Sequence, residues 1–247
     1  MVVQLPYCGA PPLPGSLLHR FNLDPVLIIA LTAVAALHIV SLRDRRGTGA
    51  ALGGWLIVAA ALLSPLCALS VALFSARVAQ HMILVLCAAP LLAAALPEVS
   101  VSWARRGAWF STAAFFVALW FWHMPGPYEA TFTSTPVYWL MHLTLFGSSI
   151  ILWRSLLRSP REAGVDALFA GAVTSMQMGF LGAILTTASR PLFFAHLSTT
   201  QMWGMTPLQD QALGGVFMWV PGILLFLGAA LYALERLRSV AARAKPA

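Results

Sequence analysis

Three of the six histidines in this chain stand directly beside a methionine. The pairs are His81-Met82, His123-Met124 and Met141-His142. Imidazole nitrogen and thioether sulfur together form a ligand set that suits copper. These residue types therefore predict a copper site, provided that the elements carrying them bring the side chains together.

The composition places those elements in a lipid bilayer. Of the 247 residues, 60% are hydrophobic and only 9% are charged, whereas about a quarter of a soluble domain is charged. The net charge of +7 comes from short basic clusters between apolar runs, which is typical of membrane topology signals and not of a nucleic-acid-binding face. We predict an all-α polytopic membrane protein with one integral membrane domain over residues 1–247.

Seven apolar runs are long enough to cross a hydrocarbon core, which takes about 20 residues each. The predicted spans are 25–42, 51–74, 78–97, 108–124, 136–157, 166–187 and 212–234. The fold class is therefore a bundle of seven transmembrane helices. Residues 1–24 form an amino-terminal tail, and residues 236–247 form a basic carboxy-terminal tail.

Twelve of the fifteen lysines and arginines fall on one side of these spans, including Arg43, Arg45, Arg46, Arg105, Arg106, Arg154, Arg158, Arg161, Arg243 and Lys245. Only Arg20, Arg77 and Arg190 fall on the other. Positive loops remain cytoplasmic, so the amino terminus is predicted to be external and the carboxy terminus cytoplasmic.

On this topology His81, His123 and His142 all lie within about 10 Å of the external boundary, given the helical rise of about 1.5 Å per residue. Polar side chains inside a span are costly and are kept for function or buried pairing. We therefore predict that the three rings converge on a metal, with a metal-free hydrogen-bonded network as the alternative. The remaining histidines, His19, His38 and His196, are expected to be polar residues at the membrane interface.

Several other side chains are candidate contributors to the site. The sulfur ligands are Met82, Met124 and Met141, with Met176, Met178, Met202 and Met205 as weaker candidates. The supporting polar residues are Arg77, Glu129, Asp210 and Gln211. Arg77 lies one helical turn before His81 and puts a fixed positive charge beside it. Asp210 is expected to cap the amino terminus of the last span.

The cysteines suggest no further site. Cys8, Cys67 and Cys87 show none of the close spacings of thiolate metal sites or redox motifs. We expect no disulfide framework, and we expect Cys67 and Cys87 to behave as small buried hydrophobic residues.

Three sequence blocks resemble the CtaG family of cytochrome c oxidase assembly factors. They are AQHMILVLCAAPLL (79–92), WHMPGPYEATFTSTPVYWLMH (122–142) and TPLQDQALGGVFMWVPG (206–222). The resemblance implies a protein of the bacterial cytoplasmic membrane that takes part in maturing heme-copper oxidases. Such a protein would bind copper and deliver it to the immature oxidase, scaffold the oxidase subunits, or do both. It points to His81, His123, His142 and the Asp210-Gln211 pair. Many relatives have a further histidine one turn before His81, where this chain has Arg77, so the coordination number stays open.

The implied partners are cytochrome c oxidase subunits, the lipid bilayer and a soluble external copper chaperone, with no nucleic acid. From the resemblance we predict an assembly factor and not an enzyme. No nucleophile-and-base motif is present, so hydrolase chemistry is unsupported. Two alternatives remain: a transporter of copper or another small solute, and a membrane oxidoreductase that holds heme between histidines.

Overall fold

Helices account for most of the folded chain. The computed structural model describes residues 5–42, 45–96, 100–157 and 163–243, and these residues form ten α-helices and no β-strand. The helices are α1 (Pro25–Ser41), α2 (Arg45–Leu63), α3 (Leu66–Ala72), α4 (Phe74–Met82), α5 (Ala89–Ala95), α6 (Val101–Trp122), α7 (Pro125–Thr133), α8 (Thr135–Leu157), α9 (Gly164–Thr187) and α10 (Pro207–Arg243). A π-helical turn, Ile83–Ala88, joins α4 to α5.

Four helical segments are long and apolar enough to cross a membrane, namely Phe74–Ala95, Thr135–Leu157, Gly164–Thr187 and Pro207–Arg238. A fifth is obtained if α2 and α3, which are bent by 47° at their junction, count as one span. The protein is therefore an all-α membrane protein. Helices α1 and α6 do not reach that standard, so the count of seven stays a prediction.

The predicted second span, 51–74, is wrong as a continuous helix. The helix ends at Leu63 and α3 begins at Leu66. Pro65 has no backbone N–H to donate and its ring crowds the preceding turn, so the chain bends there. Leu73 is then extended, at φ −128° and ψ 132°, and the next helix begins at Phe74, ahead of the predicted start at residue 78.

The predicted orientation depends partly on residues outside the described part of the chain. Arg43, Arg158, Arg161 and Lys245 lie there, as do residues 1–4, 97 and 244–247 of the predicted tails and third span. The direction of the termini across the bilayer stays a prediction.

Helices α9 and α10 pack closely because glycines lie between them. A Cβ atom on Gly182 would collide with Trp219, and one on Gly215 would collide with Thr186. Gly214 faces a different helix, since its Cβ would come 2.5 Å from the Phe74 ring. The consecutive glycines of α10 therefore let it approach α9 and the start of α4 together.

The amino-terminal segment is tied to the bundle by a disulfide between Cys8 and Cys67. The expectation of no disulfide was wrong, because the two cysteines are 59 residues apart in sequence and no local spacing relates them. Cys67 is fully buried, as expected. Cys87 is an exposed free cysteine and not a buried hydrophobic residue.

Candidate functional site

His81 and His142 form a buried pair between α4 and α8. Their ring centroids lie 5.1 Å apart, with the rings nearly perpendicular. The two side chains are only 5% and 4% exposed. Both ring nitrogens of His81, and Nε2 of His142, have no hydrogen-bond partner within the described structure. The space beside the pair is bounded by aliphatic and aromatic side chains, namely Leu84, Val85, Leu145 and Phe146.

The backbone fixes the tautomer of His142. Its Nδ1 lies 3.0 Å from the carbonyl oxygen of Tyr138, one turn earlier on α8. A carbonyl can only accept, so Nδ1 carries the proton and Nε2 keeps a free lone pair. This is the arrangement of a metal-binding histidine whose second nitrogen is held by a backbone oxygen.

The tautomer of His123 is fixed by the same kind of backbone contact, at the end of α6. His123 follows the last residue of α6, and its Nδ1 lies 2.7 Å from the carbonyl oxygen of Leu119. The ring is 7% exposed and lies beside Phe74, with 6.4 Å between ring centroids. Among the described residues no group of three His, Cys, Asp or Glu side chains is arranged to hold a metal. The structure thus brings two of the three predicted rings together, and the three-histidine site stays a prediction.

The candidate methionines occupy contrasting environments. Met82, Met141 and Met178 are buried in the hydrophobic core. Met124, Met176 and Met202 are exposed, and Met205 packs partly against α3 and α4. Met178 fills the space left by Gly222, since a Cβ there would lie 2.7 Å from the methionine's terminal carbon. Core packing thus accounts for Met178 without a metal.

Arg77 is a buried cation without a carboxylate partner. The residue is 1% exposed, and within the described ranges no ion pair involves it. Its Nη1 donates to Thr131 Oγ1 at 2.6 Å and its Nε to the carbonyl oxygen of Ser70 at 3.3 Å. The guanidinium carbon lies 4.1 Å from the ring centroid of Phe132 and 5.8 Å from that of Tyr138. Guanidinium has no lone pair to offer a metal, so Arg77 acts through its charge and packing.

Asp210 has a different role from the one predicted. Its carboxylate does not cap α10, on which it lies, but caps α4. It accepts hydrogen bonds from the backbone N–H groups of Phe74 (2.7 Å) and Ser75 (3.0 Å), and from Ser75 Oγ (2.5 Å). A negative charge at a helix amino terminus satisfies otherwise unpaired N–H groups and complements the helix dipole. The cap explains why a new helix can begin directly after the extended Leu73.

Glu129 and Gln211 hold the loop between α9 and α10. Glu129 Oε1 accepts from the backbone N–H of Ala195 at 3.0 Å, and Gln211 Oε1 accepts from that of Leu192 at 2.7 Å. Gln211 also donates to the carbonyl oxygen of Leu185 at the end of α9. Both side chains therefore support the loop that lies over the start of α4.

His196, in that loop, is not an interfacial residue as expected. It is 2% exposed, and its Nε2 lies 2.6 Å from the hydroxyl oxygen of Tyr128. Burial lowers the pKa of His196 to about 3. His19 is exposed, as a polar surface residue would be. His38 is half-buried: its Nδ1 accepts a hydrogen bond from the Trp55 indole, and its Nε2 is buried without a partner among the described residues.

Tyr138 was missed by the sequence reasoning and links several parts of the site. Its ring lies 4.3 Å from that of His142 and 4.9 Å from that of Tyr7, measured between centroids. Its hydroxyl lies 3.4 Å from Cys8 Sγ. The only available signal was its position one turn before His142 on the same helix face.

Tyr7, which stacks on Tyr138, also contacts the amino-terminal end of α1. The Tyr7 hydroxyl donates to Asp24 at 2.5 Å. This hydrogen bond holds the pKa of Asp24 below its usual value. Asp24 in turn caps α1 by accepting from the backbone N–H of Val26. The disulfide and these contacts thus fix the amino-terminal segment against α3 and the first turn of α8.

The comparison with known families is specific. The family model described as cytochrome c oxidase caa3 assembly factor (Caa3_CtaG) matches residues 33–239. The chain belongs to this family, as its three sequence blocks predicted. No curated protein and no solved structure was found to match the chain.

Proposed function

We propose that this cytochrome c oxidase caa3 assembly factor holds copper between His81 and His142 and delivers it to an immature oxidase. The support is one lone pair on each of two buried rings, because His142 Nε2 and one nitrogen of neutral His81 meet no donor in the described structure. Buried polar atoms are normally hydrogen-bonded, so a pair left open needs a reason. A bound ion supplies one, because imidazole nitrogen is a copper ligand.

The charge around the pair favours Cu(I) over Cu(II). Arg77 lies one helical turn from His81 and has no carboxylate to offset it in the described structure. Coulomb repulsion from this charge is twice as large for a divalent ion as for a monovalent one. Cu(I) is also stable with only two ligands. The proposed additional ligands are Met124 and His123, whose Nε2 keeps a lone pair because its Nδ1 donates to the Leu119 carbonyl oxygen.

We further propose seven passes across the bacterial cytoplasmic membrane, with α1 and α6 as additional spans and the amino terminus outside. Two independent features support this orientation. The arginine-rich segments would face the cytoplasm, and the Cys8–Cys67 disulfide would face an oxidising compartment. Copper would then enter from a soluble external chaperone and leave to an oxidase subunit, with no catalytic step by this chain.

Copper analysis of detergent-purified protein tests the site. Wild type should carry copper, and His81→Ala and His142→Ala should lose most of it. His19→Ala is the matched control, because His19 is exposed at the end of a short 3₁₀ helix, Pro14–His19, in the amino-terminal segment, and this variant should retain copper. Full copper in both site variants would refute the proposed site.

Oxidase activity in cells separates metal delivery from scaffolding. If delivery is the role, the His81→Ala and His142→Ala variants should insert normally while oxidase activity falls, and added copper should restore part of it. If copper stays bound and the oxidase still fails to mature, the histidines serve contacts with the oxidase, and the delivery role should be abandoned.

A further inference from the structure

The Cys8–Cys67 disulfide lies beside the histidine pair, with one residue between them. Tyr138 contacts both sulfurs, with its hydroxyl 3.4 Å from Cys8 Sγ and 3.9 Å from Cys67 Sγ. The Tyr138 ring lies 4.3 Å from the His142 ring, and the His142 ring lies 5.1 Å from that of His81. Sulfur, phenol and imidazole therefore form one continuous line from the amino-terminal segment into the bundle.

Side-chain donors converge on these sulfurs. The Asn22 amide nitrogen lies 3.6 Å from Cys67 Sγ and points a donor at it, and the Tyr138 hydroxyl is close to both sulfurs. A disulfide sulfur accepts hydrogen bonds only weakly, whereas a thiolate is an anion that gains strongly from such donors. The positively charged guanidinium of Arg77 lies over the Tyr138 ring, with its carbon 5.8 Å from the ring centroid. The Asn22 amide and the Tyr138 hydroxyl, which can donate its one proton to either sulfur, would therefore stabilise thiolates more than they stabilise the disulfide.

We propose that Cys8 and Cys67 in their reduced form make a second copper site, which binds Cu(I) through two thiolates. Thiolate is a soft ligand that selects Cu(I). The site is distinct from the one proposed at His81 and His142, and it does not require that pair to bind copper.

Opening the site requires a reductant, for which we name an external protein dithiol. One thiolate of the dithiol attacks Cys8 Sγ, which is partly exposed while Cys67 is fully buried. The Cys8–Cys67 bond breaks, and the second donor thiol displaces Cys8 from the mixed disulfide. The donor leaves as a disulfide, and its two protons end on Cys8 and Cys67. Cu(I) then replaces these two protons, which pass to water, and copper keeps its oxidation state.

Anaerobic titration with Cu(I), supplied as its bicinchoninate complex, tests the second site on the full chain in detergent. Reduced wild type should bind one more Cu(I) per chain than oxidised wild type, with a thiolate-to-copper charge-transfer absorption. The double variant Cys8→Ser/Cys67→Ser should lose this increment. The matched control is Cys87→Ser, because Cys87 is a free exposed cysteine, and it should keep the increment.

A second measurement covers the case in which the double variant fails to fold. Wild type is reduced, alkylated with iodoacetamide and titrated again, which blocks the thiols without altering the sequence. Blocked protein should lose the increment. Equal copper in the oxidised, reduced and alkylated states would overturn the proposal, and so would an increment that survives in the double variant.

The double variant His81→Ala/His142→Ala distinguishes the two copper sites. It should keep the increment that depends on reduction, even if its remaining copper is lost. Loss of the increment in a folded His81→Ala/His142→Ala variant would overturn the second site as an independent one.

Discussion

The buried polar groups at the two ends of α4 differ in whether they have hydrogen-bond partners. At its start, the Asp210 carboxylate accepts three hydrogen bonds from two residues of α4. Near its end, both ring nitrogens of His81 have no partner in the described structure. Buried polar groups are normally hydrogen-bonded. Asp210 therefore has a structural role that its contacts explain, whereas the proposed copper site would explain the unpartnered nitrogens of His81.

The largest effect should follow from Asp210→Ala. The substitution leaves the N–H groups of Phe74 and Ser75 buried without an acceptor, which should cost about 3 kcal/mol or more of stability. Thermal unfolding in detergent measures the loss. Asp166→Ala is the control, because the contacts of Asp166 with Arg105 and with the Trp109 indole are at the surface, and exposed ion pairs contribute about 0–1 kcal/mol. Equal effects of the two variants would remove Asp210 from its structural role.

A smaller effect on stability should come from His196. One of its ring nitrogens contacts the Tyr128 hydroxyl and the other has no partner in the described structure. Burial lowers the pKa of His196 from 6.5 to about 3, so on acidification the unfolded chain takes up the proton first. Its contribution to stability is complete above about pH 6.5 and falls as the pH drops toward 3, by about 2 kcal/mol between pH 7 and 5. Unfolding temperatures across this range should fall less steeply for His196→Phe. An unchanged slope would show that other groups govern the acid sensitivity.

Arg77→Met should change ion selectivity more than stability. Removing the buried charge should strengthen Cu(II) binding relative to Cu(I) at the histidine pair, on the order of tenfold. Competition titrations with each oxidation state measure the ratio. Arg77→Lys keeps the charge and is the control, so it should preserve the preference for Cu(I). A ratio that is unchanged in Arg77→Met would show that the charge does not select the ion.

The smallest effect on stability should come from His81→Leu. The change removes two unpartnered polar atoms from an apolar environment, so the unfolding temperature should stay the same or rise slightly. Copper analysis of the same sample should show the loss of the metal. A destabilisation as large as that of Asp210→Ala would mean that His81 belongs to a structural network, which was the alternative to a metal site.

Much of the helical framework could be predicted from hydropathy alone. The predicted spans 136–157 and 166–187 lie within two residues of α8 and α9, because these helices are long, apolar and bounded by polar segments. Their common depth predicted that His81, His123 and His142 converge. The structure brings the rings of His81 and His142 together, and the place of His123 beside them stays a prediction. Local sequence carries such information well, since each span is set by its own residues.

Contacts between distant residues could not be predicted in this way. The start of α4 depends on a carboxylate 136 positions away from Phe74, and hydropathy has no signal for it. The Cys8–Cys67 disulfide joins residues 59 positions apart. Tyr138 lies between this disulfide and His142, and sequence alone does not show that position. The sequence therefore indicated which residue types carry the chemistry, but not which side chains orient them.

The π-helical turn after Met82 changes the direction in which side chains point along this helix, so that α4, which carries His81, is rotated relative to α5. Trp153 Nε1 donates to the carbonyl oxygen of Val85 at 2.7 Å, inside that turn. A π turn accommodates one residue more than an α turn, so the side chains before it and after it do not share a single stripe. Shortening this turn by one residue would rotate the His81 half by about 100° against the rest of the helix. The extra residue in the π turn thus sets the rotation of α4 relative to α5. It lets the His81 ring face α8 while the side chains of α5 keep their own packing.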